Sequence, residues 1–244
     1  MAKSIEEQVE DIGKQQLSKI KYFTKTEMIN EEIEKALKSA PSKSGGIGPN
    51  YPDIKTFIQT KNMRKIPVMI EVKGLKRSLI KLNTKGEIDN KTKDGNVNYT
   101  NINKYAVNGA VHYANAIINY TSSYKEVVAI GMNGYYEGNE IKIELGVYYV
   151  SSDNFLIPKK IGNYSDLTFL LPEHVDSFIE KIDMVNLTEE EIEAKAKEYE
   201  NDIEIKLKSL NQTMQDDLKI SVGSRVELIT GMIMAGLGVE NKVG

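Results

Sequence analysis

Cysteine and tryptophan are absent from this 244-residue chain, and histidine occurs twice, as His112 and His174. Without cysteine there is no disulfide and no thiolate metal site. Two histidines exclude a centre built from three or more imidazoles. Any metal must then be held mainly by oxygen, which favours magnesium, manganese or calcium. No apolar run is long enough to cross a bilayer. The first residues, rich in Glu, Gln and Lys, lack the apolar stretch of a signal peptide. The expectation is a cytoplasmic chain with no membrane partner.

With 40% hydrophobic and 27% charged residues, the composition is that of an ordinary globular protein. The length suits one large domain, or a medium domain with an extension. The net charge of −3 conceals an uneven distribution. Residues 1–150 hold 22 Lys+Arg and 17 Asp+Glu, whereas residues 151–244 hold 10 and 18. Lys55, Lys61, Arg64, Lys76 and Arg77 fall in a basic stretch, and each is a candidate phosphate contact that would position nucleic acid without reading its sequence. The plainer reading of the same residues is a solvated charged surface.

Along the chain, Ile5, Val9, Ile12 and Leu17 mark an amphipathic helix over residues 4–19. Ile29, Ile33 and Leu37 mark a second over 26–38, with Thr24 or Thr26 as its cap. Residues 40–52 form a loop rich in Gly, Pro, Ser and Asn. Strands are expected at 53–60 and 66–72, joined by a basic turn, and again at 126–132 and 141–150 around a turn at 134–139. Between the two pairs lie a long polar loop, 82–101, and a helix, 103–120. The segment Thr188-Glu189-Glu190-Glu191 reads as a capping box opening a charged helix. A more apolar segment, with Val226, Ile229, Ile233 and Leu237, closes the chain. This order predicts an α/β fold, a mixed sheet flanked by helices, followed by an all-α extension. The expected boundary lies between 160 and 161.

Two short stretches carry chemistry together, Tyr51-Pro52-Asp53 and Ile70-Glu71-Val72-Lys73. Side chains alternate along a strand, so Glu71 and Lys73 share one face. If the two strands pair as a hairpin, Asp53 joins them at one edge. Two acids and a lysine so placed suit phosphodiester hydrolysis. The carboxylates of Asp53 and Glu71, with the backbone carbonyl of Val72, would hold a hard divalent cation that activates water. Lys73 would orient the water or stabilise charge on the phosphate. The competing reading is a surface salt bridge between Glu71 and Lys73. Against it, Glu71 follows the apolar run Val68-Met69-Ile70, where an acid needs a partner or a metal.

These motifs resemble the PD-(D/E)xK restriction nucleases, and more narrowly the N-terminal nuclease region of type IIG-like fused restriction–modification enzymes. The resembling residues are the loop 42–46 leading to Asn50-Tyr51-Pro52-Asp53, the strand 66–74 and the helix 105–114. The resemblance implies a PD-(D/E)xK nuclease domain over 1–160 that requires Mg²⁺, with Mn²⁺ as substitute, and that cuts double-stranded DNA. It implies a helical connector over 161–244, with methyltransferase and target-recognition modules outside this sequence and a possible dimer on DNA. It also implies a metal-assisting acid on the helix before Asp53. Glu27, Glu31 and Glu34 share that face, with Glu31 as the expected one; a solvated acidic face is the alternative. Related nucleases show a QxxxY pattern on the later helix, but here Gly109 stands four before Tyr113. Asn108 and His112 instead form a polar stripe that either contacts substrate or satisfies itself. Two other functions remain open at this level: a nuclease-like domain that binds nucleic acid without cutting it, and a helical interaction module carried on an α/β scaffold.

Overall fold

The computed structural model describes residues 3–48, 50–60, 63–154, 157–187, 189–216 and 219–236. Two compact units emerge, divided after Asn186. The first is a six-stranded sheet with helices on both faces. Its strands are β1 (Tyr22–Thr24), β2 (Ile54–Gln59), β3 (Lys65–Lys73), β4 (Glu126–Glu137), β5 (Glu140–Ser151) and β6 (Lys159–Lys160), in sequence order across the sheet. Only the β3–β4 pair is parallel. That pair needs a crossover, which the long loop and the helices α3 (Tyr99–Lys104) and α4 (Ala106–Tyr120) provide. The expected mixed α/β sheet is present.

Alternation along the strands divides the core in two. Ile54, Ile58, Val68, Ile70, Val72, Val128, Ile130 and Met132 face α1 (Ile5–Gln16). Met69, Val127, Ala129, Tyr148 and Val150 face α4 and α2 (Glu31–Ser39). β3 is buried over most of its length because it is covered on both sides.

Element boundaries differ from expectation for identifiable reasons. The second helix starts at Glu31 rather than near Thr26. Asn30 caps it by accepting the Ile33 N–H at 2.8 Å, while Thr24 donates its N–H and hydroxyl to Glu27 at 2.7 and 2.6 Å and closes a turn. The helix expected over 103–120 breaks at Tyr105. The Ala106 and Val107 N–H groups donate to the Ser78 and Leu79 carbonyls, both at 2.9 Å, instead of continuing α3.

The largest difference is at the domain boundary. Residues 161–186, expected with the connector, pack in the first unit. Ile161, Leu167, Phe169 and, from α5 (Val175–Val185), Phe178, Ile179 and Ile182 join the α1-side core. Arg64 fastens this segment. Its guanidinium donates to both Glu126 oxygens at 2.7 and 2.6 Å and to Asp183 at 2.6 Å. Arg64 is therefore committed to the fold and is not a free phosphate contact. The same holds for Lys55, which is fully buried and paired with Glu34. Lys61 lies outside the described residues, whereas Lys76 and Arg77 are exposed.

The second unit contains α6 (Glu189–Asp216) and α7 (Val222–Gly236). Within α6 the pairs Lys206–Asp202 and Lys208–Glu204 bridge successive turns at 2.6 and 2.7 Å. Arg225 of α7 donates to Gln215 at 2.8 Å. Val226 is exposed and Ile229 half-buried; Thr188 and Leu237 and the side chain of Ile233 lie outside the described residues. Among the described residues no helix is long and apolar enough to cross a membrane.

Close approach of α4 to the sheet depends on two paired glycines. A Cβ at Gly131 would lie 2.3 Å from the Val107 backbone nitrogen, and one at Gly146, its cross-strand partner, 2.5 Å from Val107 Cγ2. Gly131→Ala is therefore expected to destabilise the protein by about 3 kcal/mol, because backbone rather than a flexible side chain must yield. Urea denaturation of the variant beside wild type measures it.

Candidate active site

The site lies where β3 ends, on the face covered by α2 and α4. The β2–β3 ladder runs from Gln59↔Lys65 to Ile54↔Ile70. One residue beyond the last pair, the Pro52-Asp53 turn takes the backbone of the first strand away. The Asp53 side chain takes over as acceptor, receiving the Val72 N–H at Oδ2, 2.8 Å away. Because Ile54 and Ile70 point to the α1 side, Asp53 and Glu71 both point to the other. Hairpin pairing thus brings Asp53, Glu71 and Lys73 together, and Val72 contributes backbone between them.

Glu71 is completely buried, and both of its carboxylate oxygens have polar partners. Lys73 donates to its Oε1 at 2.7 Å. The Lys43 ammonium binds the same oxygen. Tyr113 Oη lies 3.2 Å from Glu71 Oε2 and 2.9 Å from the Tyr51 carbonyl, so its single proton is shared between the two. Burial alone would lift the Glu71 carboxyl, but the Lys43 and Lys73 ammoniums prevail and hold it below the ordinary glutamate value. Burial also pulls Lys73 down, yet the Glu71 carboxylate outweighs it and keeps the ammonium above the usual lysine value. Lys73 is thereby a charged donor at neutral pH and not a base.

Asp53 is in the opposite condition. Burial first, and the Glu71 charge second, push its carboxyl up to about 6, against the Val72 N–H and the more distant Lys43 and Lys25. Two buried carboxylates thus lie near each other, and one of them is left short of compensation. Among the described residues no group of three or more His, Asp or Glu side chains is placed to hold a metal. A cation here would be held by Asp53 and Glu71, with the Val72 carbonyl and water completing its shell.

Not every expected residue arrives. Glu31 is 82% exposed and pairs with Lys35 at 3.8 Å on the solvent side of α2. It does not join the site. Glu34 is the buried acid of that helix, paired with Lys55 at 2.7 Å. Glu27 serves the turn before α2. Asn108 accepts the Lys81 N–H at 2.9 Å and donates to Asn90 at 2.8 Å, pinning the crossover loop to α4. His112 Nε2 lies 2.8 Å from the Pro41 carbonyl. The two do not satisfy each other; each anchors a different loop. A cavity of about 350 Å³ is lined by Pro41, Tyr99, His112 and Asn115, and its walls exclude Asp53, Glu71 and Lys73.

Two residues that the spacing did not single out complete the site. Tyr113 belongs to the QxxxY comparison, where the missing glutamine obscured its role. The structure supplies the reason for Gly109: a Cβ there would meet Glu71 Cγ at 3.2 Å and the Ile102 carbonyl at 3.0 Å. Lys43 stands in a loop, where no periodicity predicts a direction.

Among known proteins, the chain is similar to the type II restriction enzyme and methyltransferase RM.BcgI of Heyndrickxia coagulans, at 31% identity over 164 residues. The match takes in 67% of this chain and 23% of the relative, so the chain corresponds to a minor part of that protein. No protein-family model and no solved structure matches the chain. The similarity supports a relationship to restriction enzymes.

The Asp53 carboxyl gives a signed pH dependence. Its folded value, about 6, lies above the unfolded one, so the folded state holds the proton more tightly. The associated stability is present below about pH 4 and lost as pH rises through about 6, a total of about 3 kcal/mol. In metal-free buffer near neutral pH, Asp53→Asn is expected to melt above wild type. Adding Mn²⁺ should raise the melting temperature of wild type and leave the variant unmoved. Thermal melts across pH, with and without Mn²⁺, check both signs.

Proposed function

We propose that this chain is a Mg²⁺-dependent endonuclease of the PD-(D/E)xK kind that hydrolyses phosphodiester bonds of double-stranded DNA in a restriction–modification system. The observation that carries the reading is the convergence of Asp53, Glu71 and Lys73 where β3 leaves the core. Similarity to a restriction enzyme supports the same class of chemistry.

The division of labour follows from the contacts. Asp53 and Glu71, with the Val72 carbonyl, would hold the cation. When bound, the cation supplies positive charge to the scissile phosphate and favours deprotonation of a neighbouring water. The Val72 N–H fixes the Asp53 carboxylate, and Tyr113 fixes Glu71 from the other side. Lys73, held as an ammonium, orients the attacking water and donates to the phosphate oxygen on which charge accumulates. Lys76 and Arg77, exposed just beyond Lys73, contact flanking phosphates.

Target choice belongs to partners. In the type IIG-like arrangement proposed here, the nuclease works with methyltransferase and target-recognition modules, and the second unit, with Val226 exposed on α7, docks them. Cleavage of both strands takes two copies on DNA.

Nicking of supercoiled plasmid tests the central role. With Mg²⁺ or Mn²⁺ the protein is expected to relax plasmid, EDTA to stop it, and Lys73→Ala to slow it at least about 100-fold. Nicking that persists in Lys73→Ala contradicts the assignment.

A further inference from the structure

Glu71 Oε1 carries two ammoniums, and they are not equivalent. Lys73 lies two residues from Glu71 on the same strand and the same face, so it stays beside this carboxylate whatever else binds. Lys43 comes from a separate loop. The loop backbone is closed by Ser42 N–H to the Gly46 carbonyl and Gly45 N–H to the Ser42 carbonyl, both at 2.9 Å. Its base is held by His112 at the Pro41 carbonyl. The Lys43 ammonium therefore reaches Glu71 through its own flexible side chain and lies 5.7 Å from the Tyr113 ring centroid. It is mostly buried, yet the loop beyond it is open. Cβ atoms at Gly46 and Gly48 would meet nothing within 4 Å, and Ile47 is fully exposed.

A carboxylate oxygen already taken by two ammoniums has little left for a divalent cation. For a cation to reach Oε1 one of them has to withdraw; Lys73 is kept in place by its strand and by Glu6, 3.9 Å away, whereas Lys43 stands on a loop with open space beyond it. Once withdrawn, a partly buried ammonium needs a new counter-charge. Under the nuclease reading, on which this inference rests, the nearest one is the substrate phosphate.

We propose that Lys43 holds the cation's place on Glu71 in the metal-free protein, yields it when a divalent cation binds, and then contacts the substrate phosphate beside Lys73. The device keeps the buried Glu71 carboxylate neutralised while the site is empty. It also couples metal arrival to the release of a second phosphate-binding charge.

Mn²⁺ binding by isothermal titration calorimetry, without DNA, separates this idea from a propping role. Lys43→Gln is expected to bind Mn²⁺ about tenfold tighter than wild type, because a competing charge is gone. Lys25→Gln removes a more exposed ammonium 3.5 Å from Asp53, and is expected to change affinity by less than about threefold. At saturating Mn²⁺, plasmid nicking by Lys43→Gln should fall about tenfold or more, with partial rescue in Lys43→Arg. Lys43→Met gives the same readout if Lys43→Gln does not fold. Equal or weaker Mn²⁺ binding by Lys43→Gln, with wild type binding normally, overturns the proposal and leaves the nuclease reading standing. Tighter binding with undiminished nicking overturns the phosphate contact. Absence of Mn²⁺ binding in wild type and variant alike overturns the nuclease reading itself.

Discussion

Two buried carboxylates at one strand end impose the constraint around which this protein is organised. Glu71 is fully enclosed and Asp53 nearly so, and each raises the cost of ionising the other. The surrounding structure answers that cost unequally. Glu71 receives two ammoniums and a phenol, whereas Asp53 receives one backbone N–H and a longer ion pair, 3.5 Å, with the more exposed Lys25. The imbalance leaves one acid satisfied and the other short of counter-charge, the condition on which the proposed cation site rests.

Meeting that constraint shapes the fold around it. The hairpin register places Asp53 one step past the last paired residue, so its side chain can stand in for a backbone acceptor. Helix α4 must lie almost on the strands for Tyr113 to reach Glu71, and Gly109, Gly131 and Gly146 allow that approach. The crossover loop that sends the chain to α4 is tied back by Asn108. On the opposite face, α1 and the segment 161–186 enclose the other side of β3, and Arg64 holds the latter through two acids on different elements. Burial of β3 on both faces is what gives Glu71 its low-dielectric surroundings.

Much of this was legible in the sequence, and the parts that were not share a cause. Strand alternation is a property of the chain itself, so it puts Glu71 and Lys73 on one face; Asp53 joins them on condition that the two strands pair as a hairpin, which they do. The α/β order followed in the same way from the apolar periodicities. Moving the start of α2 from Thr26 to Glu31 does not rotate the helix, but only tertiary contact decides between Glu31, exposed beside Lys35, and Glu34, buried on Lys55. Lys55 and Arg64 read as surface charges because their partners, Glu34, Glu126 and Asp183, lie far away in sequence. Lys43 adds a second difficulty: it is a loop residue, 28 positions from the acid it meets, and no strand or helix period gives its direction. The boundary expected between 160 and 161 falls instead after Asn186, because the apolar residues in between belong to the sheet's core.

The most direct test is to locate the cation. Crystals grown or soaked with Mn²⁺ and measured at a wavelength where manganese scatters anomalously should show a peak within coordination distance of the Asp53 and Glu71 carboxylates. The same map should show Lys73 still beside Glu71. A peak elsewhere on the protein, or none at these two acids at a Mn²⁺ concentration that supports nicking, would contradict the account.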